Sequence, residues 1–221
     1  CALPIYTVVD GLLQLMGQAK KDLLIVSPYF VPGPDMKQAF AAARARGVRV
    51  RVLTNSLASN DAPIAHAGYA RHRPELLATG LELYEMRSEL SGLRSVFQGT
   101  GSSGVTGSSG DSKAMLHSKL LILDGRLLVI GSMNLDLRSQ LQNTEIALLI
   151  RSRSLSARAT EQIEAALEDA AWRVEQDSEG RLVWRAPKDS GLKDATAEPD
   201  TSAPLRWLVR ILGWFAPDHL L

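Results

Sequence analysis

The chain has one cysteine, Cys1, in 221 residues, so no internal disulfide staples it. It also lacks an uninterrupted apolar run of the ~18 residues that a membrane-spanning helix needs. Its histidines and carboxylates do not cluster at ligand spacing, so no metal and no other cofactor is suggested. A charge excess is missing as well: 25 basic and 24 acidic residues leave a net charge of +1. That balance argues against a strongly nucleic-acid-binding surface and leaves only a local basic groove open. There is no initiator methionine and no signal peptide. The chain opens on Cys1, directly before an element-forming stretch, and reads as a piece of something longer. Its length suits one large domain, or a domain with an appendage.

Against these absences stands one dense stretch, HSKLLILDGRLLVIGSMN, from His117 to Asn134. It fixes His117, Lys119, Asp124, Gly131, Ser132 and Asn134 as H-x-K-x4-D-x6-G-S-x-N. Six fixed positions at ~5% usage each match by chance roughly 10⁻⁸ times per starting point. Met115 to Leu123 reads as a strand, Asp124-Gly125 as a tight turn, and Leu127 to Ile130 as the returning strand of a hairpin. Two apart on a strand, His117 and Lys119 share a face. Gly131, where the chain turns, lets backbone N–H groups approach an anion, and Ser132 and Asn134 add neutral donors. An imidazole, an ammonium, a hydroxyl and an amide so arranged suit a phosphate.

The stretch resembles the HKD motif of the phospholipase D superfamily, with every fixed position filled. The resemblance implies that His117 is the nucleophile at phosphorus, or its acid/base partner, through a phosphohistidine. It implies that Lys119 and Asn134 bind the phosphoryl oxygens with Ser132 in support. Asp124 belongs to the motif and so to the catalytic set, although its place at the turn suggests a structural task. Superfamily members carry an acidic residue on the next strand that orients the histidine, and Glu145, before Ile146 to Ile150, fits that role. A histidine attacks only when its reacting nitrogen is unprotonated, and a carboxylate on the other nitrogen fixes that tautomer. Such chemistry needs two histidines, one to attack and one to protonate the leaving alkoxide. The remaining three, His66, His72 and His219, are not followed by a lysine at the required spacing. Either two copies pair their motifs, or a missing N-terminal half carries the other; the unnatural start favours the second.

In chain order, Pro4 to Lys20 has an apolar stripe at helical spacing. Leu23 to Ser27 is a short buried strand, Met36 to Arg46 a helix ended by Gly47, and Val48 to Thr54 the next strand. This β-α-β order predicts an α/β fold: a phospholipase D-like mixed, mainly parallel sheet with helices on both faces. Ligands in such sheets bind at the carboxyl ends of strands, which makes Asn55, Ser56, Asn60 and Asp61 site-adjacent. Asp61 reads equally as the N-cap of a helix over Ala62 to Thr79. On that helix His66 shares a face with Tyr69 and Arg73, either as a polar surface or as pocket lining. The segments SPYFVP and TNSLASND…HAGYARHR…LELYE resemble the C-terminal half of bacterial cardiolipin synthases, over roughly residues 20 to 150. That resemblance favours pocket roles for His66 and Tyr69, and places the turn after Asn134 at the pocket. There Arg138 is either a lipid-phosphate ligand or a surface arginine.

Leu81 to Met86 is another strand. Residues 91–112, with two GSSG units, read as a flexible loop, natural or engineered, beside the pocket. Ser154 to Val174 reads as a helix striped by Ile163, Ala166, Leu167, Ala170 and Val174, and Arg181 to Ala186 as a final edge strand. Residues 1–186 thus form the domain and 187–204 a polar linker. Residues 205–221 form an amphipathic tail that lies in a membrane interface or docks on its own domain. The expected activity is phosphatidyl transfer to a second phospholipid alcohol, phosphatidylglycerol being one substrate, at the periphery of a bacterial cell membrane. A homodimeric phosphodiesterase or nuclease of the same superfamily is the alternative, and a lipid-binding half without turnover a third reading.

Overall fold

The computed structural model describes residues 7–88, 115–141 and 144–215. The Gly/Ser stretch lies outside them. Thr7 starts α1 (Val8–Gly17) with a capping box, its hydroxyl accepting from the Asp10 N–H while the Asp10 carboxylate takes the Thr7 N–H. There follow β1 (Asp22–Val26), β2 (Phe30–Val31), α2 (Pro34–Ala45), β3 (Arg49–Asn55), α3 (Pro63–Ala78) and β4 (Glu82–Met86). Next come β5 (Leu120–Leu123), β6 (Leu127–Gly131), β7 (Leu135–Asp136), α4 (Leu137–Leu141) and β8 (Ala147–Ile150). The chain closes with α5 (Arg153–Asp169), β9 (Ala171–Gln176), β10 (Leu182–Arg185) and α6 (Ala203–Phe215).

Eight strands form one sheet in the order β10-β9-β4-β3-β1-β5-β6-β8, while β2 and β7 pair separately. The sheet is mixed, but the expectation that it is mainly parallel is corrected. Only β1–β3 and β3–β4 are parallel, and the other five ladders are antiparallel. The β-α-β rhythm that demands parallel pairing ends at Met86, and the later strands add through a hairpin and antiparallel returns. Helices do cover both faces. α1, α2 and α3 bring Met16, Phe40 and Leu76 against Ile25, Val50 and Leu83. α5 brings Ile163, Ala166 and Leu167 against Leu24, Leu53 and Ile122 on the other side. The period of two along β1 and β3 feeds both layers, which is why those strands are apolar almost throughout.

Two stretches differ from expectation. The helix read through Val174 stops at Asp169, and Ala171–Gln176 is β9, antiparallel to β4. Ala170 and Val174 continue a helical stripe by spacing alone, yet Ala171-Trp172-Arg173-Val174-Glu175 also alternates, and the free edge of β4 decides between the two patterns. Residues 187–204 do not hang free. Ala195 bridges Trp184, Arg185 meets Asp194 at 2.8 Å, and the Trp172 indole donates to Asp200 at 3.4 Å.

Glu198 completes that return. Fully buried Arg73 on α3 ion-pairs with Glu85 at 2.9 Å and with Glu198 at 2.7 Å. The Trp184 indole donates to the other Glu85 oxygen at 2.9 Å, and His66 Nε2 lies 2.6 Å from an Arg73 nitrogen. The guanidinium also sits 4.8 Å from the centre of the Tyr69 ring. Burial alone would raise the Glu198 carboxyl, but Arg73 and His66 beside it hold it at about 2. A carboxylate depressed below its free value of 4.5 stabilises the fold fully above that pH and ceases to as pH falls toward 2. We therefore expect Glu198→Gln to flatten the acid limb of the stability curve between those values. Arg73→Met, which strands two buried carboxylates, should cost about 3–5 kcal/mol in urea denaturation at neutral pH.

Candidate active site

The approach to the motif is not a strand. β5 begins only at Leu120, so His117 lies ahead of the ladder, on chain that no neighbouring strand pairs. Asn55, at the carboxyl end of β3, supplies what the strand would have. Its side-chain oxygen accepts from the Leu116 N–H at 2.9 Å and its nitrogen donates to the Leu116 carbonyl at 3.2 Å. Leu116 and Asn55 are both buried, and His117, the next residue, is turned out to solvent. Among the described residues its ring makes no hydrogen bond.

Of the other motif side chains, one bonds the His117 backbone and another is held by Glu145. The Lys119 ammonium donates to the His117 carbonyl at 3.0 Å. Burial pushes that ammonium below the usual lysine range, against the opposing pull of Glu145 and Asp136. Glu145, at the entry to β8, accepts the Ser132 hydroxyl, while the Ile146 N–H donates back to Ser132 at 3.1 Å. The bond expected from Glu145 to the imidazole is therefore not the one formed; the carboxylate is held by Ser132 and faces the lysine. Asn134 is half-buried, and its side-chain oxygen is sequestered with no partner among the described residues. Asp136 is a buried carboxylate whose pKa burial raises, with the Ser139 N–H opposing. The sequence reading missed it. The signal available was an acidic residue in an otherwise apolar LDL following the motif.

The loop after β1 locks this cluster from the other side. The Ser27 hydroxyl accepts from the Leu135 N–H at 3.0 Å and donates to the Tyr29 carbonyl at 2.6 Å, beside the short β2–β7 pair. Gly33, ahead of α2, packs closely against the Leu137 side chain, so a larger residue there would make that leucine shift.

Other assignments move. Gly131 was expected to open a backbone cradle for an anion. Instead a β-carbon there would lie 2.6 Å from the Ile146 carbonyl oxygen, so its smallness serves the contact between β6 and β8. Asp124 is at the opposite end of β5 from His117. Its carboxylate takes the backbone N–H groups of Lys20, Lys21 and Asp22, the shortest at 2.8 Å, and these pull its pKa down against burial. It is a staple between the hairpin turn and β1, at a distance from the imidazole that excludes contact. His66 and Tyr69 belong to the Arg73 centre and not to this cluster. Asp61 does not cap α3: it accepts the Tyr29 hydroxyl, and Asn60 takes the Ala62 N–H at 2.8 Å. Arg138 is exposed on α4, near Asp136.

Residues 12–167 match the family described as cardiolipin synthase, PLD-like domain. The chain is 38% identical to cardiolipin synthase C of Escherichia coli over 214 residues, which is 95% of this chain and 43% of that protein. It is 30% identical to cardiolipin synthase A of Pectobacterium carotovorum over 64% of this chain and 24% of that protein. It thus spans less than half the length of these relatives. Among solved structures it is similar to phosphatidylserine synthase from Haemophilus influenzae, with a TM-score of 0.61 at 15% identity, covering 96% of this chain and 44% of that one. It is also similar to Nuc from Salmonella typhimurium, titled a phospholipase D family member, with a TM-score of 0.51 at 20% identity over 74% of this chain and 88% of that one. At such identities these two likenesses bear on the fold alone.

Asn55 and Asp124 separate positioning of the histidine from stability. Asn55→Ala orphans a buried N–H and carbonyl and should cost about 2–4 kcal/mol, while shifting or broadening the His117 imidazole resonances. Asp124→Ala should cost about as much and leave those resonances in place.

Proposed function

The chain belongs to the cardiolipin synthase, PLD-like domain family, and we propose that it contributes one of two phosphohistidine motifs to a phospholipid phosphatidyltransferase. The observation that carries this is a half-buried ammonium bonded to the backbone of a histidine that is turned out to solvent. His117 is presented on a clamped backbone, Lys119 donates to its carbonyl, and Glu145, bonded to Ser132, lies close enough to act on the Lys119 charge.

In the first half-reaction a nitrogen of His117 attacks the phosphorus of a phospholipid diester. The P–N bond forms as the P–O bond to the headgroup alcohol breaks. The alkoxide takes a proton from the histidine of a second motif. Lys119 leaves the His117 carbonyl for the non-bridging oxygens, where negative charge accumulates. The amide of Asn134 turns its donors to the same oxygens, and Arg138 approaches from the exposed side. Glu145 and Ser132 hold the local charge balance that keeps Lys119 cationic. In the second half-reaction the other histidine removes the proton from an acceptor alcohol. That oxygen attacks phosphorus and the P–N bond breaks. Passing the phosphatidyl group of one phospholipid to the headgroup hydroxyl of phosphatidylglycerol gives cardiolipin, and water in place of that hydroxyl gives hydrolysis. No step calls for a metal.

The second motif belongs, on this reading, to an N-terminal half of a longer polypeptide, with a second copy of this chain as the other source. In support, β8 is a sheet edge directly after Glu145, and it exposes Ile146, Leu148 and Leu149. Consecutive residues of a strand face opposite sides, so this edge is apolar on both. Such an edge beside a charged site fits a covering half. The family nuclease reading lacks comparable support, because the net charge is near zero. The membrane contact is assigned to α6, which exposes Trp207 and Leu208. Among the described residues no helix is long and apolar enough to cross a membrane.

The test is headgroup release from phosphatidylglycerol vesicles, and cutting of single-stranded DNA, each with and without chelator. The whole polypeptide should turn over lipid with chelator present, and His117→Ala should lower the rate by at least about 10³-fold. Lys119→Met should lower kcat with little change in KM. DNA cutting without lipid turnover would sink the proposal.

A further inference from the structure

A second site lies at the far side of α3. α6 crosses that helix, burying Val209 against Leu57 and Ala67, and the Arg71 guanidinium donates to the Gly213 carbonyl at 2.7 Å. Beneath and beside α6 remains a cavity of about 850 Å³. That is within the size range of small-molecule sites, ~300–1,000 Å³. Its walls are largely apolar, with Leu57, Ala70, Leu182 and Trp184 within and Trp207 at the mouth.

The charges on it are uneven. Among the described residues four arginines, Arg71, Arg73, Arg206 and Arg210, line it with one carboxylate, Glu198, and Arg71 is already engaged by the Gly213 carbonyl. Arg73 is matched by Glu85 and Glu198. Arg206 is fixed through the Thr201 carbonyl at 2.5 Å, and exposed Arg210 stands one turn further along α6. In a chain of net charge +1 this is a local cationic rim over an apolar slot. The Glu198 oxygen that does not meet Arg73 and His66 is also shielded and has no hydrogen-bond partner among the described residues. A buried acceptor without a donor marks a place where something else belongs.

We propose that this cavity binds one anionic amphiphile, an alkyl or acyl chain lying under α6 with a phosphate head at Arg206 and Arg210. Planar guanidinium groups four apart on a helix share a face and can grip one phosphate from two sides. A hydroxyl of the head satisfies Glu198. The site is separate from the motif. No motif residue lines the cavity; Trp184 on its wall belongs to β10, five strand spacings of ~4.8 Å or roughly 24 Å across the sheet from β5, while Leu57 lies nearer, two residues past Asn55. The inference goes beyond the catalytic reading and does not need it. If that reading holds, the site makes the enzyme responsive to anionic lipid through the helix that meets the membrane.

The probe is dodecyl phosphate below its micelle-forming concentration, titrated calorimetrically into the protein, with dodecyl maltoside and inorganic phosphate as controls. Saturable one-to-one binding is expected for dodecyl phosphate alone. Arg206→Glu with Arg210→Glu should weaken it at least about tenfold. Ala197→Trp, on an exposed part of the rim, should block it while far-UV circular dichroism stays unchanged, and His117→Ala should bind as the parent does. Equal binding of dodecyl maltoside, indifference to Ala197→Trp, or no binding at all would overturn the proposal. Because His117→Ala is an arm of the experiment, failure here is distinct from failure of the phosphohistidine chemistry.

Discussion

One carboxamide decides where the imidazole stands. Leu116 has no strand partner, so its N–H and carbonyl would be orphaned in the interior. Asn55 satisfies both, as a neighbouring strand would. A strand would have carried His117 into the sheet, whereas a single side chain holds Leu116 and releases the chain immediately afterwards. The histidine can therefore be both fixed at its backbone and free at its ring. Pro28 and Ser59 brace the same asparagine, so the clamp is tied to the loops at the ends of β1 and β3. Among the described residues the ring has no orienting partner, and on the proposed reading the exposed edge at β8 is where a covering half would bring further groups.

Legibility followed the range of the interactions. The motif, its hairpin and the Asp-Gly turn were readable because period and turn chemistry are local; Asp124 and Gly125 both adopt positive φ, as that turn requires. The parallel core from β1 to β4 was readable for the same reason. What could not be read is what the distant chain supplies. Gly131 looks like part of an anion cradle until β8 arrives against it. Asp124 looks catalytic by its place in the motif until Lys20 to Asp22 fold over its carboxylate. Ala170 and Val174 fit a helix until the edge of β4 recruits them into β9. His66 and Arg73 were placed on a common face correctly, but no local pattern announces that Glu85 and Glu198 will bury that face. Residues 187–204 read as a linker because polar composition cannot distinguish solvation from ion pairing.

The two edges of the sheet are finished by opposite means. At β10 the chain returns, pairs Ala195 with Trp184, sets Glu198 on Arg73 and lays α6 over α3. That edge needs no further partner. At β8 nothing among the described residues lies outside Leu148 and Leu149, and Ile146 stands exposed beside the Glu145 carboxylate. The difference matters for chemistry. Attraction between Lys119 and a developing phosphoryl charge is several-fold weaker in water than in a low-dielectric enclosure. A half-site open at this edge would bind phosphate weakly and stabilise a transition state poorly. On the proposed reading, burying the apolar strand and drying the site would be one event, since a surface sealing β8 would also remove water from Lys119 and Glu145. On the proposed two-motif reading, assembly would therefore act twice over, through a second histidine and through the lower dielectric around the first lysine.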